Sequence, residues 1–190
     1  MAITQINGGS GSSASLIKTI RYYTSSDTWT KPEGLAHIVV IAYGGGGGGG
    51  GGRSSSSSRS GGGGGERSSR SSRGGGGGGG GGMRVERTIR ESELSATHAV
   101  TIGAGGAGGT GASVNNNGTL GSVGGDTSFG SLVVAKGGSG GGGGTTTGGS
   151  GGSAHNSVST ATPSYGPYAN FGAEGGGGDY HIGDPASQGH

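Results

Sequence analysis

The chain contains no cysteine, few apolar residues and no long hydrophobic segment. Without cysteine, neither disulfide bonds nor thiolate zinc sites can contribute to the fold. Hydrophobic residues make up 26% and aromatic residues 5% of the 190 positions, which is too little to build an ordinary globular core. No apolar run approaches the length of a membrane-spanning helix. The formal net charge is only +2, so the placement of charge is more informative than its sum.

Glycine dominates the composition, with 57 of the 190 positions. It does not recur at every third position and there are only 4 prolines, which excludes a collagen triple helix. Such a composition is typical of a disordered glycine-serine linker. Two runs of nine glycines, at 44–52 and 74–82, flank a basic, serine-rich insert at 53–73. Two antiparallel neighbours that cross the same layer would have equal lengths. The alternative to a disordered linker is therefore that the glycines form a structural element.

Short segments rich in β-branched and aromatic residues predict strands. These segments are 15–24, 35–43, 84–89, 97–102 and 131–135. The residues at 31–34, Lys-Pro-Glu-Gly, have proline and glycine where a type I turn prefers them. Residues 90–96 form at most one helical turn. Three of the strands lead directly into glycine, at 44–52, 103–109 and 137–144, and glycine returns at 74–82, 121–125 and 175–178.

A glycine run can adopt the polyproline II helix, which has three residues per turn and a rise of about 3.1 Å per residue. Its N–H and C=O groups all point sideways and need partners on neighbouring chains. Fixing each backbone costs about 1–2 kcal/mol, while each hydrogen bond returns a net stabilisation of about 1 kcal/mol. A single run is therefore unstable, and only a bundle anchored on a folded β base can form.

Three blocks of the sequence resemble the glycine-rich domain of tailed-bacteriophage tail fibre and tip-adhesin proteins. The blocks are TWTKPEGLAHIVVIAYGGGGGGGGG, IRESELSATHAVTIGAGGAGG and GGDTSFGSLVVAKGGSGGGGG, and together they span residues 28–144. The resemblance implies an all-β or irregular fold: a small β base carrying a polyglycine II helical bundle, with almost no α-helix. It also implies a virion protein of the tail or fibre, made in the host cytoplasm and exposed to the medium. In such adhesins, loops at the distal end of the bundle bind receptors on the host surface.

On this basis we divide the chain into three parts. Residues 1–15 are expected to form an N-terminal arm suited to attachment to the virion. Residues 16–178 form the glycine-rich β and polyglycine II domain, with the insert at 53–73. Residues 179–190 form a C-terminal tail. Asp and His residues cluster there, but we expect a polar tail and not a metal site.

The sequence offers no pattern that indicates catalysis. Residues 103–108, Gly-Ala-Gly-Gly-Ala-Gly, match the dinucleotide-binding spacing, but no helix and no acidic partner follow in the required positions. No P-loop is present, and no serine–histidine–aspartate or paired-carboxylate arrangement stands out. We therefore expect neither an enzyme nor a cofactor.

Candidate receptor-binding residues lie in the segments between outgoing and returning runs, 53–73, 112–120 and 145–174, which we expect at one end of the bundle. Arginine makes bidentate contacts to phosphates and carboxylates. Tyrosine and phenylalanine offer flat surfaces on which sugars stack, and residues 153–174 have the aromatic, Ser, Asn and Gly composition of binding loops. The candidates are Arg53, Arg59, Arg67, Arg70, Arg73, Asn115, Asn116, Asn117, Tyr165, Tyr168, Asn170 and Phe171.

Three functions remain open at this point. The first is attachment to the host surface during adsorption, with a surface glycan or an outer-membrane protein as receptor. The second is a purely structural tail or fibre component that contacts other virion proteins only. The third is an RNA-binding low-complexity protein, but the insert at 53–73 lacks aromatic residues for base stacking, so we expect no nucleic-acid partner. Whether the chain forms a homo-oligomer also stays open.

Overall fold

The computed structural model describes residues 1–7, 17–54, 73–113, 116–146, 148–153 and 180–181. Within these ranges the chain forms ten short strands and one turn of 3₁₀ helix, Glu91–Glu93. The strands are β1 (Ala2–Asn7), β2 (Ile17–Tyr22), β3 (Asp27–Thr30), β4 (Leu35–Tyr43), β5 (Arg73–Gly74), β6 (Arg84–Arg90), β7 (Thr97–Thr101), β8 (Thr127–Phe129), β9 (Val133–Ala135) and β10 (Tyr180–His181). The all-β prediction is confirmed, since these ranges contain no α-helix.

The base of the molecule consists of two four-stranded antiparallel sheets. The first sheet has the strand order β2-β1-β4-β6 and the second has the order β3-β7-β8-β9. Strands β8 and β9 of the second sheet contact β4 of the first, so the two sheets face each other as a sandwich. Strand β10 pairs separately with β5. The described residues contain no helix that is long and apolar enough to cross a membrane.

The hydrophobic core lies between the two sheets. Alternate residues of each strand point inward, and the buried members are Ile3, Ile38, Val40, Ala42, Val85 and Ile89 from the first sheet and Trp29, Val100, Phe129, Val133 and Ala135 from the second. Trp29 and Phe129 pack edge to face with their ring centroids 5.5 Å apart. The chain has few apolar residues, and the large side chains of this core place many of them in the base.

Residues 2–7 do not form the N-terminal arm that the sequence suggested. They form β1, which lies between β2 and β4 in the first sheet and buries Ile3 completely. The alternation of apolar residues is hidden in this strand because the next inward position is Gln5, which is only 3% exposed. A polar residue at a buried position removes the pattern by which a strand is recognised.

The strands direct the glycine segments to one edge of the sandwich. Strands β4, β7 and β9 end where glycine-rich segments leave, and β6 and β8 begin where such segments return. This confirms the predicted strand-to-glycine repeat for the first two outgoing and returning pairs. The sandwich therefore anchors each outgoing segment at its first residue and each returning segment at its last.

His98 lies against the aromatic pair of the core. Its ring centroid is 4.8 Å from that of Phe129 and 6.0 Å from that of Trp29. Its Nε2 accepts a hydrogen bond from the backbone N–H of Ser95 at 3.0 Å, which requires the neutral ring. Burial lowers the pKa of the His98 imidazole below its ordinary value.

We expect the free energy of unfolding to fall as the pH drops below about 6.5, the pKa of an unperturbed histidine. The unfolded chain takes up a proton there, whereas the folded chain resists protonation until the pH reaches the lowered pKa of His98. Denaturant unfolding at pH 7.5 and pH 5.5 measures the effect. A His98→Gln variant should lose part of this pH dependence, while a His37→Gln control should keep it. Equal pH dependence in His98→Gln and the parent would contradict the prediction.

Candidate functional site: the tip of the glycine bundle

Six glycine-rich segments cross the same layer above the sandwich, side by side. We name them run 1 (44–53), run 2 (74–83), run 3 (103–112), run 4 (118–125), run 5 (137–144) and run 6 (148–153). None of them is α-helical, and Gly74 at the start of run 2 is the only residue of the six runs assigned to a strand. Their backbone groups bond to other runs.

The hydrogen bonds between runs recur at every third residue. Between the antiparallel runs 1 and 2, the N–H groups of Gly44, Gly47, Gly50 and Arg53 donate to the carbonyl oxygens of Met83, Gly80, Gly77 and Gly74 at 2.8–2.9 Å. A repeat of three matches the three residues per turn of polyproline II. Among the described glycines, positive φ occurs only at Gly34, Gly130 and Gly148. Apart from Gly148, the runs therefore combine negative φ with a backbone that is not α-helical, as in the left-handed polyproline II helix. The polyglycine II prediction is confirmed for the described runs.

Run 1 forms hydrogen bonds with four other runs of the bundle. The N–H of Gly48 donates to the Ser122 carbonyl of run 4, and the N–H of Gly141 in run 5 donates to the Gly48 carbonyl, both at 2.8 Å. Run 3 bonds to run 1 through the N–H of Gly106 and the carbonyl of Gly46, also at 2.8 Å. With run 2, this gives run 1 four hydrogen-bonded neighbours. At about 3.1 Å per residue, it spans about 28 Å from the sandwich to its far end.

In the outer runs, side chains occur mainly where a helix face points outward. In run 3, the inward positions 103, 106 and 109 are glycine, while Ala104, Ala107 and Thr110 are exposed. An added Cβ at the inward Gly106 would lie 2.1 Å from a carbonyl oxygen of run 4. In run 6 the same spacing leaves Ser150 and Ser153 exposed. Three-residue spacing of small side chains is therefore the sequence signal of an outer run.

Three turns meet at the end of the bundle that lies away from the sandwich. We call this end the tip and define it by Arg53, Ser54, Arg73, Ser113, Asn116, Asn117, Thr145 and Thr146. Three bonds tie its turns together at one level: Arg53 N–H to the Gly74 carbonyl at 2.8 Å, Ala112 N–H to the Gly52 carbonyl at 2.9 Å, and Gly118 N–H to the Gly144 carbonyl at 2.9 Å. The expected convergence of the segments that begin at 53, 112 and 145 is therefore observed.

Polar groups line the tip. The Asn116 amide donates to Ser113 Oγ at 3.2 Å, and the Asn116 backbone N–H donates to the Ser113 carbonyl at 3.1 Å. Asn117 is exposed. In the third turn, Thr145 Oγ1 lies 3.4 Å from the Gly148 carbonyl, and Gly148 has φ of 79°, a conformation that favours glycine. These groups can donate and accept hydrogen bonds to a polar ligand.

Arg53 is the one candidate arginine whose side chain the structure describes. Its backbone is fixed by the bond to Gly74, and its side chain is partly exposed. Its Nε is buried and has no hydrogen-bond partner among the described residues. A buried guanidinium nitrogen without an acceptor is energetically costly. An incoming anionic or carbonyl oxygen could contact only the exposed part of this side chain.

The predicted site residues are only partly within the described ranges. Arg53, Asn116 and Asn117 lie at the tip, as does the backbone of Arg73, which pairs with His181 of β10. The remaining candidates fall outside the described residues: Arg59, Arg67, Arg70, Asn115, Tyr165, Tyr168, Asn170 and Phe171. The sequence analysis did not name Thr145 and Thr146 individually as residues of the tip. The polar segment Thr-Thr-Thr-Gly, which lies between glycines, is the signal that indicates a turn at this point.

The segment 145–174 does not lie wholly at the tip, as the sequence analysis had assumed. Its residues 148–153 are run 6, which leads away from the tip beside run 5. The N–H of Gly142 donates to the Ser150 carbonyl at 2.7 Å, and the N–H of Ser139 to the Ser153 carbonyl at 3.2 Å. A return beside run 5 is thus made by 148–153, whereas the return expected at 175–178 lies outside the described residues. Run 6 is hard to recognise in the sequence because it is short and two of its six residues are serines.

Metal binding finds no candidate in the described residues. No group of three or more His, Cys, Asp or Glu residues within those ranges could hold an ion. The acidic and histidine residues of the tail beyond 181 lie outside them. The chemistry of the tip is therefore that of hydrogen bonding and positive charge.

Comparison with known proteins identifies a domain family. A family model described as a glycine-rich domain matches residues 59–190. Since the match covers more than half of the chain, the protein belongs to this glycine-rich domain family. Neither the curated proteins nor the solved structures contain a match to the chain.

Proposed function

We propose that this glycine-rich domain protein is a phage tail fibre or fibre-tip protein that attaches the virion to the host surface. The observation that carries the proposal is the convergence of three polar turns at the tip, far from the sandwich. Cross-links at 2.8–2.9 Å between runs hold these turns at one level. Turns presented on a rigid scaffold are the usual location of binding residues.

The scaffold is suited to this task. A bundle bonded in several directions resists bending, and it holds the tip about 28 Å from the sandwich. The sandwich remains available for attachment to other tail or fibre proteins, while the tip reaches outward. Arg53, whose side chain is partly exposed at the tip, favours an anionic or strongly hydrogen-bonding receptor. The receptor class that fits is a surface glycan carrying phosphate or carboxylate groups.

Binding of the purified chain to bacterial cells tests the proposal. We expect the chain to bind host cells and to reduce adsorption of the phage that carries it. Arg53→Ala combined with Asn117→Ala should weaken cell binding by about tenfold, or about 1.4 kcal/mol. Neither side chain takes part in the backbone bonds of the bundle, so the fold should persist.

The matched control is Arg90→Ala, which removes an exposed arginine of β6 in the sandwich. It should leave cell binding unchanged, because it lies at the opposite end of the molecule from the tip. Absence of cell binding by the parent chain would favour a purely structural tail component. Equal loss in both variants would show that attachment depends on general charge and not on the tip.

A further inference from the structure

Strand β2 is an edge strand that the sandwich does not cover. All six of its residues are exposed, although three of them are large and apolar. Ile17 is 60% exposed, Ile20 45% and Tyr22 76%. The chain has very few apolar residues, so placing three of them on an uncovered strand points to a surface that another molecule covers.

The exposed apolar surface continues across the outer face of the first sheet. Ile20 pairs with Thr4, and Thr4 pairs with Val39, so these residues point away from the core on one face. Ile6 and Ile41 lie on the same face and, like Val39, are only partly buried. The outer face of the second sheet differs, because it is largely threonine: Thr28, Thr30, Thr97 and Thr101.

The free edge of β2 also presents backbone groups. Met1 and Tyr23 exchange two hydrogen bonds, at 2.8 and 2.9 Å, which fixes the alternation along the antiparallel pair. Every second residue counted back from Tyr23 therefore points its N–H and C=O groups toward β1. The groups of Lys18, Ile20 and Tyr22 point to the open edge, where no described strand pairs with them. Such an edge is a template for an added strand.

Charge indicates what kind of strand fits. Lys18 and Arg21 are the charged residues of β2, and neither forms an ion pair with a described residue. Four other basic side chains of the described region, Lys31, Arg84, Arg87 and Lys136, have carboxylate partners. Two copies of β2 side by side would bring four cations together without an acid, and like charges between adjacent strands are destabilising.

We propose that β2 and the adjoining outer face form a docking site for an extended acidic segment of another protein. The segment adds a fifth strand to the first sheet, pairing with the backbone of Lys18, Ile20 and Tyr22. Carboxylates on one face of the added strand lie beside Arg21, and apolar side chains on its other face cover Ile20 and Tyr22. Lys18, on the same face as Ile20, adds positive charge near one end of the strand. This mode of recognition takes affinity from backbone bonds and specificity from alternate side chains. It is independent of the tip and would join the sandwich to a neighbouring protein.

Two matched peptides test the proposal on the full chain. One alternates valine and glutamate, and the other alternates valine and lysine. Fluorescence anisotropy should show binding of the glutamate peptide and none of the lysine peptide. The double variant Lys18→Glu, Arg21→Glu should reverse this preference. Binding of neither peptide, or of both equally, would overturn the proposal.

The substitution Ile20→Pro distinguishes backbone pairing from nonspecific hydrophobic binding. The Ile20 N–H points to the open edge, so Ile20→Pro should keep the bond pattern with β1 and remove one bond to the added strand. It should weaken the glutamate peptide about tenfold or more. An Ile20→Thr control, which loses apolar surface but keeps the N–H, should weaken it less. Equal affinity for Ile20→Pro and the parent chain would contradict strand addition.

Two further outcomes would overturn the choice of occupant. Sedimentation showing a dimer of the parent chain that Ile20→Pro dissociates would assign the edge to a second copy. Slow hydrogen exchange of the Lys18, Ile20 and Tyr22 amides in the isolated monomer would show that the chain covers its own edge. The proposal expects a monomer in which these amides exchange fast and become protected only when the glutamate peptide is added.

Discussion

Replacing Gly48 with alanine is expected to disrupt the glycine bundle. A Cβ at this position would lie 2.0 Å from the Ala107 carbonyl oxygen of run 3 and 2.8 Å from that of Gly106. The Ala107 carbonyl accepts a bond from the Ser122 N–H, and the Gly106 N–H donates to the Gly46 carbonyl, so neither residue can move away without breaking bonds between runs. Overpacking of a tight interior costs about 1–3 kcal/mol, and more where the neighbours are rigid. We expect a loss at the upper end of that range.

Gly46→Ala is the matched control, two residues away in the same run. Gly46 is exposed, and an added Cβ would lie 3.8 Å from the Gly80 carbonyl oxygen, which is ordinary contact. Alanine also restricts the unfolded chain more than glycine does, which stabilises a compatible site by about 0.4–1 kcal/mol. The two substitutions are chemically identical but should change stability in opposite directions.

Denaturant unfolding followed by two probes would measure this difference. Trp29, the single tryptophan of the chain, is fully buried in the sandwich, so its fluorescence reports on the base. Hydrogen exchange of the glycine amides reports on the bundle. Gly48→Ala should lose amide protection in runs 1 and 3 before the Trp29 signal changes. Equal stability of both variants would show that the glycines act as spacers and not as packed helices.

Much of the β base could be predicted from the sequence because its central strands follow simple patterns. The predicted strand at 35–43 coincides with β4, and β6, β7 and β9 lie within or one residue beyond their predicted ranges. Strand β3 was missed because it has one apolar residue, Trp29, among polar neighbours. Strand β8 was missed for its shortness, since three residues around Phe129 form no period. In both strands, packing in the core decides the structure and local pattern does not.

The bundle was predictable where glycine is continuous, as in runs 1 and 2, or interrupted by one serine, as in run 5. Each of these runs has packed faces on which a carbonyl oxygen of a neighbour excludes a Cβ, as at Gly47, Gly77 and Gly141. Runs 3 and 6 each bond to only two other runs, and run 4 bonds to three; all of them carry side chains on their open faces. Leu120 and Val123 of run 4, for example, are 74% and 64% exposed. The number of neighbours a run has is a property of the folded bundle, and the sequence reflects it only through three-residue spacing.

Part of the candidate site followed from topology alone. Once each outgoing run has a returning partner, the intervening turns must meet at one end, which placed Arg53 and Asn117 correctly. The position of the aromatic segment could not follow in this way, because it depended on which segment makes the third return. Run 6 ends at Ser153, whose carbonyl bonds to Ser139, whereas Tyr180 pairs with Gly74 at the tip. The two ends of the intervening segment therefore lie at different heights on the bundle, about 19 Å apart along run 2.

The segment between these two points carries the aromatic residues of the predicted receptor site. Tyr165, Tyr168 and Phe171 lie outside the described residues, so their assignment stays a prediction from composition. The structure adds that the segment reaches β10, and β10 lies beside Arg73 at the tip. A segment that ends at the tip can contribute aromatic side chains to the same receptor contact as Arg53.

Changing Tyr165, Tyr168 and Phe171 together to alanine should abolish adsorption and leave particle assembly intact. Aromatic anchors in an interface are worth about 2 kcal/mol or more each, and losing even one such anchor weakens binding about thirtyfold. Trp29 lies in the buried core of the sandwich, and we expect its unfolding transition to remain that of the parent chain. Cell binding of the purified variant and adsorption of particles that carry it are the two measurements.

A double variant on the flank of the bundle, Leu120→Ala with Val123→Ala, provides the matched control. It removes exposed apolar surface away from the tip turns, so it should leave adsorption unchanged. Equal loss in both variants would mean that adsorption follows general hydrophobicity. Normal adsorption by the aromatic variant, together with loss in Arg53→Ala, Asn117→Ala, would confine the receptor contact to the described tip. If neither set of substitutions affects adsorption, host attachment is not the function of this chain, and a structural role in the tail replaces it.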